Sequence, residues 1–226
     1  MREARIDLAR VERCLRELQR RFPEINATLR TQRDPLGDDV LANLLDGYAY
    51  VNTLLERRID PFVLGQHAHL LELNAIVLCG TDPAERRRFH RHLEASEAHF
   101  YSAVGGGIRA VMEWYERHRR DDVWSRAAGV YVHALSEPQL FVEGNHRAGA
   151  LIMSLLLVRE GKPPFVVKAD NAKGYFDPSA LIRVTRKHTM TALWRLPRLK
   201  RTFAEFLRAR VDKKALVKAR PPLAAE

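Results

Sequence analysis

The chain has 226 residues, of which 46% are hydrophobic and 29% charged, a length and balance that suit one globular domain with a small helical appendage. Two cysteines at no metal or redox spacing argue against a disulfide framework and for a reducing cytoplasm, and the charged N-terminus and longest apolar run, too short for the roughly 18 residues of a membrane helix, argue against membrane association. The formal net charge of +10 favours anionic partners, whether nucleotides, phosphorylated small molecules, acidic proteins or nucleic acid, although its arginine clusters read first as solvated helix faces and a basic tail.

Helical periodicity dominates and strand signals are few, so the expected fold class is all-α. A first helix is expected over residues 6–21, with Leu8, Val11, Leu15 and Leu18 on one stripe, ended by Phe22-Pro23. A polar segment holding Asp34, Pro35 and Gly37 leads to a second helix over residues 39–57, with Val40, Leu44, Tyr48, Val51 and Leu55 facing inward. Further helices are expected over residues 61–78 and 83–101. Gly105, Gly106 and Gly107 then break the pattern and are candidates for the edge of a cleft. An amphipathic helix over residues 108–118 and another over 122–135 follow. The stretch 148–158 is apolar on nearly every face and reads as a helix buried at the centre of a domain. Phe165-Val166-Val167 reads as a short extended piece, Asp177-Pro178-Ser179 as the opening of a helix, and residues 194–210 as two helical segments broken at Pro197. The expected organisation is an N-terminal helix and linker over 1–37, a helical domain over 38–210 and a basic frayed tail over 211–226. The three tryptophans, Trp114, Trp124 and Trp194, read as core or rim anchors. The histidines at 67, 69, 90, 92 and 99 do not close a ligand set at helical spacing.

The informative segment is Gln139-Leu140-Phe141-Val142-Glu143-Gly144-Asn145-His146-Arg147-Ala148-Gly149-Ala150, between one helix and the apolar helix. A short loop entering a helix N-terminus offers unpaired N–H groups and the positive end of a dipole, which together make an anion site. Gly144 lets the backbone approach a phosphate or take a positive φ, Asn145 caps or donates its amide, and Arg147 adds charge-assisted hydrogen bonds. Glu143 repels a bare phosphate, so a carboxylate there makes sense with a divalent cation between them.

These twelve residues resemble the motif of the Fic (Fido-fold) family, His-Pro-Phe-x-(Asp/Glu)-Gly-Asn-Gly-Arg-x-x-Arg. The resemblance implies a helical fold, ATP with Mg²⁺, and transfer of AMP to a hydroxyl of a target protein. Residue by residue, it implies that Phe141 anchors the loop, that Glu143 binds magnesium and that Gly144, Asn145 and Arg147 hold the phosphates. Four positions depart from the pattern. Gln139 stands where the catalytic histidine is expected, and an amide does not titrate near neutral pH. Leu140 replaces the proline, His146 the second glycine and Ala150 the second arginine. His146 is a candidate substitute base or phosphate contact, and Gln139 a candidate for orienting substrate. The family's inhibitory motif is matched only by Asp46-Gly47, with Ala42 where Ser or Thr is expected, so inhibition of that kind is not expected.

Three functions stay open from the residues: a nucleotidyl or other group transferase with altered chemistry, an inactive Fic-like binding or regulatory protein, and a basic helical nucleic-acid binder.

Overall fold

The computed structural model describes residues 4–102 and 107–218. Among them lie ten α-helices and one pair of three-residue strands, so the fold is all-α. The chain runs β1 (Ala4–Ile6), α1 (Leu8–Ala27), α2 (Asp38–Glu56), α3 (Ala68–Cys79), α4 (Pro83–Arg88), α5 (His90–Phe100), α6 (Ile108–Arg117), α7 (Val123–Leu135), α8 (Asn145–Arg159), α9 (Ala172–Arg183), α10 (Met190–Arg210), a 3-10 turn (Lys213–Ala215) and β2 (Leu216–Lys218).

The apolar stretch behaves as its composition dictates. Every residue of α8 from Ala148 to Val158 is buried, with α7, α2 and α3 packed around it. At about 1.5–3 kcal/mol for each large apolar side chain removed from water, this helix is the main cohesive element of the fold. Gly149 lets α7 close on α8, since a Cβ there would stand 2.6 Å from the Tyr131 ring. Ser154 is accommodated by accepting the Phe165 N–H at 3.1 Å, and the Tyr48 hydroxyl donates to the Phe165 carbonyl at 2.8 Å. These bonds fix Phe165 in the core, in a segment that belongs to no helix or strand. The inward stripe of α2 is turned slightly from expectation: Leu41, Leu44, Tyr48, Val51 and Leu54 are buried, whereas Val40 and Leu55 are half-buried.

Proline punctuation misplaces three helix boundaries. Helix α1 continues through Pro23 to Ala27, α9 starts at Ala172 with Pro178 inside it, and α10 is one helix through Pro197. An internal proline costs about 3 kcal/mol, and helices tolerate it where apolar contacts on both sides hold the axis. Phe22 and Ile25 pack with Ala172 and Phe176 on either side of Pro23, and Tyr175 and Ile182 are buried on either side of Pro178. Ala192 and Phe203 do the same around Pro197. The helix expected over 61–78 begins only at Ala68, after a turn in which Asp60 accepts the Phe62 N–H at 3.0 Å. That over 83–101 divides at Phe89 into α4 and α5.

Residues 211–218 do not fray. Asp212, buried, accepts from Arg10 Nε at 3.1 Å, from the Cys14 thiol at 3.4 Å and from the Lys214 N–H at 3.0 Å. Beyond it β2 pairs antiparallel with β1, Ile6 opposite Leu216. Burial and Asp212 push the Cys14 thiol up to about 11, so it is an unreactive core group. Of the tryptophans, Trp114 is buried and Trp124 half-buried, but Trp194 is 83% exposed and anchors nothing. Gly105 and Gly106 lie outside the described residues, as does the rest of the expected tail. No helix among the described residues is long and apolar enough to cross a membrane.

Candidate anion-binding cleft

The loop between α7 and α8 is built from its own side chains. The Leu140 N–H returns to the Ala134 carbonyl at 2.8 Å, and Phe141 is buried in a parallel stack on Phe100, ring centroids 5.6 Å apart. Asn145 closes the loop from the first turn of α8: its Oδ1 accepts the Phe141 N–H at 2.9 Å and its Nδ2 donates to the Phe141 carbonyl at 2.7 Å. One side chain thus satisfies both backbone groups of a buried residue. Gly144, at φ 76°, turns the chain into the helix, and its carbonyl accepts the Ala148 N–H at 2.9 Å. A Cβ on Gly144 would stand 2.7 Å from Asn74 Nδ2, the group that donates to the Glu143 carbonyl at 2.8 Å. Glycine is therefore required twice, by conformation and by space.

No side chain caps α8. The first-turn N–H groups have no side-chain partner among the described residues, at the positive end of a largely buried helix. Beside them Arg147 is fixed by donating from Nη1 to the Val77 carbonyl at 2.6 Å, while Nη2 lies 3.6 Å from Glu143 Oε1. Burial pulls the Arg147 pKa down, opposed by the charges of Glu143, Asp39 and Asp34. The Glu143 carboxylate is largely exposed at the mouth of the cleft, with His92 Nε2 3.8 Å away on its other side.

The two candidate catalytic side chains are placed differently from one another. Gln139 is woven into the loop: Nε2 donates to the Leu135 carbonyl and Oε1 accepts from Asn145 Nδ2, both at 3.2 Å. Its carbonyl accepts from His99 Nε2 at 2.9 Å. His146 sits in a directional network. Arg33 can only donate, so His146 Nε2 accepts from Arg33 Nη1 at 3.3 Å and Nδ1 must carry the proton. Nδ1 then donates to the Tyr131 hydroxyl at 3.1 Å, which donates to Ser179 Oγ at 2.7 Å, and Ser179 donates to the Tyr175 carbonyl at 2.5 Å. Tyr175 in turn donates its hydroxyl to the His146 carbonyl at 2.7 Å. Burial, then the charges of Arg33, Arg183 and Arg147, push the His146 imidazole down to about 3, so it is neutral at physiological pH. Both of its nitrogens are occupied.

Above the loop opens a cleft of about 570 Å³, bounded by the end of α1, the 33–36 segment, α2, the loop and α9. Glu143, Gly144, Asn145, His146, Arg147 and Gln139 all line it, so the structure gathers every expected site residue in one place. Ala150 lines it too, its short side chain leaving room where an arginine would project. Arg33, Asn74 and the Tyr131–Tyr175 pair escaped sequence reasoning. Asn74 did leave a signal, as the lone amide in the otherwise apolar run Leu73–Cys79, but Arg33 lies in a polar linker with no periodicity to mark it. The arginine cluster Arg86–Arg88 stays at the surface: Arg86 pairs with Glu72 at 2.7 Å and Arg88 with Glu85 at 2.9 Å.

The chain is similar to the protein adenylyltransferases Fic of Drosophila melanogaster, Drosophila simulans and Drosophila sechellia. Each is 30% identical over 132 residues, a stretch that covers 56% of this chain and 26% of the relative. The match therefore spans about a quarter of those proteins' length. No family model matches the chain, and no solved structure matches it. The likeness supports a distant relation to the Fic group transferases.

Proposed function

We propose that the cleft binds the phosphates of a nucleotide, and that the chain acts as a distant Fic-type transferase, moving a nucleotidyl group to a hydroxyl of a target protein. The observation that carries this reading is the uncapped N-terminus of buried α8, entered through Gly144 at positive φ and flanked by a half-buried Arg147. First-turn N–H groups of that kind hold a phosphate oxygen, and Arg147 adds charge to the same oxygens. The residues fit magnesium as well. That ion binds nucleotides with one or two protein carboxylates, the rest of its shell being water and phosphate, and Glu143 presents one exposed carboxylate beside the phosphate donors. When bound, it would neutralise charge on the phosphates.

In the transfer step, the acceptor oxygen forms a bond to the α-phosphorus, the bond from that phosphorus to the pyrophosphate oxygen breaks, and pyrophosphate leaves. The acceptor's proton passes to solvent, because Gln139 does not titrate and both nitrogens of His146 are engaged. His146 and Gln139 are positioning residues in this reading: His146 orders the cleft wall and Gln139 braces Asn145. Lack of a general base costs about 10²–10⁴ in rate, so the transfer is slow. The same tethering of Gln139 favours a second reading, a protein of the cytoplasm that binds nucleotide and does no chemistry.

Incubation of the chain with ATP, GTP or CTP labelled at the α-phosphate, with magnesium and candidate acceptor proteins, separates the two. Slow incorporation of label that Arg147→Ala abolishes supports the transferase. Binding without incorporation supports the second reading.

A further inference from the structure

We propose that Arg33 and Arg183 form a second anion subsite in the cleft that Arg147 lines, so that the cleft takes a ligand with two linked phosphate groups rather than one. The inference rests on the phosphate-binding reading above and names residues outside the loop. Both arginines line the cleft, one from the segment after α1 and one from the end of α9. Arg33 is half-buried, its plane 5.6 Å above the Phe176 ring, with Nη1 on His146 and Nη2 3.4 Å from the Phe176 carbonyl. Its Nε is buried without a hydrogen-bond partner among the described residues. Neither arginine has a carboxylate within ion-pair distance among those residues. Asp177, the acid facing Arg33, is already engaged by the Arg30 N–H at 2.9 Å and by Lys173 at 3.1 Å. Arg183 meanwhile repels Arg33.

A cation held half out of water without a counter-charge is costly. Arg33 is such a cation, and with exposed Arg183 lining the same cavity it leaves a positive field that a ligand anion satisfies. Arg147 has Glu143, Asp39 and Asp34 to balance it, whereas Arg33 has only the already engaged Asp177 and is opposed by Arg183, so the charge is less compensated at Arg33. His146 connects the two: its backbone belongs to the first turn of α8 and its ring touches Arg33. A diphosphate with one group on the helix N-terminus therefore directs its second group along the His146 ring toward Arg33 and Arg183.

Calorimetric titration with inorganic phosphate and inorganic pyrophosphate tests this on wild type, Arg183→Ala, Arg33→Gln, Arg147→Ala and the distant surface control Arg208→Ala. The proposal expects pyrophosphate to bind wild type at least about tenfold tighter than phosphate, as added charge-assisted hydrogen bonds allow. Arg183→Ala and Arg33→Gln should each remove most of that advantage while phosphate affinity stays within about twofold. Arg147→Ala should weaken both ions, and Arg208→Ala neither. Arg183, exposed and without a side-chain hydrogen bond or ion pair among the described residues, keeps the test independent of folding. A pyrophosphate advantage that survives in both Arg183→Ala and Arg33→Gln overturns the subsite but leaves the phosphate site standing. Absence of binding by either ion to wild type overturns both readings.

Discussion

Replacing Gly144 with alanine isolates the geometry on which the cleft depends. Two costs are expected. The first is conformational: an L-residue at φ 76° lies in the left-handed region, at about 1–2 kcal/mol. The second is steric, because the new Cβ would stand 2.7 Å from Asn74 Nδ2 and 3.3 Å from Leu78 Cδ2 and Val77 Cγ2. The fully buried Asn74 amide has to withdraw from the Glu143 carbonyl, and a buried polar group left unpaired costs about 1–3 kcal/mol. The total expected is about 2–5 kcal/mol. Gly161 provides the reference: it has φ 70° and nothing within 4 Å of its Cβ position, so Gly161→Ala carries the conformational cost alone. Urea unfolding followed by circular dichroism should show equal m-values and a Gly144→Ala cost exceeding that of Gly161→Ala by about 1–3 kcal/mol. A difference within about 0.5 kcal/mol, the usual scatter between independent sites, refutes the claim that Asn74 and Gly144 are sterically interlocked.

Asn145→Ala removes the acceptor and donor of buried Phe141 together, and should cost about 2–4 kcal/mol in the same unfolding assay, against near-neutrality if the loop holds itself. Gln139→His should raise the rate of label transfer from α-labelled nucleotide by about tenfold or more if a base at that position is what the chain lacks, and an unchanged rate would count against the missing-base account. The pH dependence of stability should carry the mark of His133, whose imidazole burial pushes down from 6.5 to about 3. In that window the unfolded chain binds a proton that the folded chain excludes, so stability is undiminished above pH 6.5 and falls as pH drops toward 3. The slope is about 1.4 kcal/mol per pH unit, or about 2 kcal/mol between pH 6.5 and 5. His133→Gln should lose about that much less over the same span, and an identical pH profile would show that desolvation does not hold His133 neutral in the folded chain.

The part of the site legible in the sequence is the part carried by local chemistry. A loop with glycine, asparagine and arginine ahead of an apolar helix is recognisable from local chemistry alone, and α8 lies where its composition places it. The loop's supports are non-local and leave weaker traces. Asn74 reaches Glu143 from 69 residues away, and Arg33 meets His146 across 113. His146 illustrates the limit. From the sequence it is a titratable group within the loop, open to a role as base. Its tautomer and occupied nitrogens depend on Arg33 and Tyr131, neither of which the loop sequence reveals. Pro23, Pro178 and Pro197 fail as helix boundaries for a related reason: packing of Phe22, Ile25, Tyr175 and Phe203 outweighs one lost backbone bond, and packing is not a local property.

The most direct test of the central claim is calorimetric titration of ATP with magnesium into wild type and Arg147→Ala, with circular dichroism to verify that the variant is folded. Saturable binding to wild type that weakens at least about tenfold in the variant is the predicted result. Equal affinity in both proteins, or no binding to wild type, contradicts the assignment of the α8 N-terminus and Arg147 as a nucleotide phosphate site.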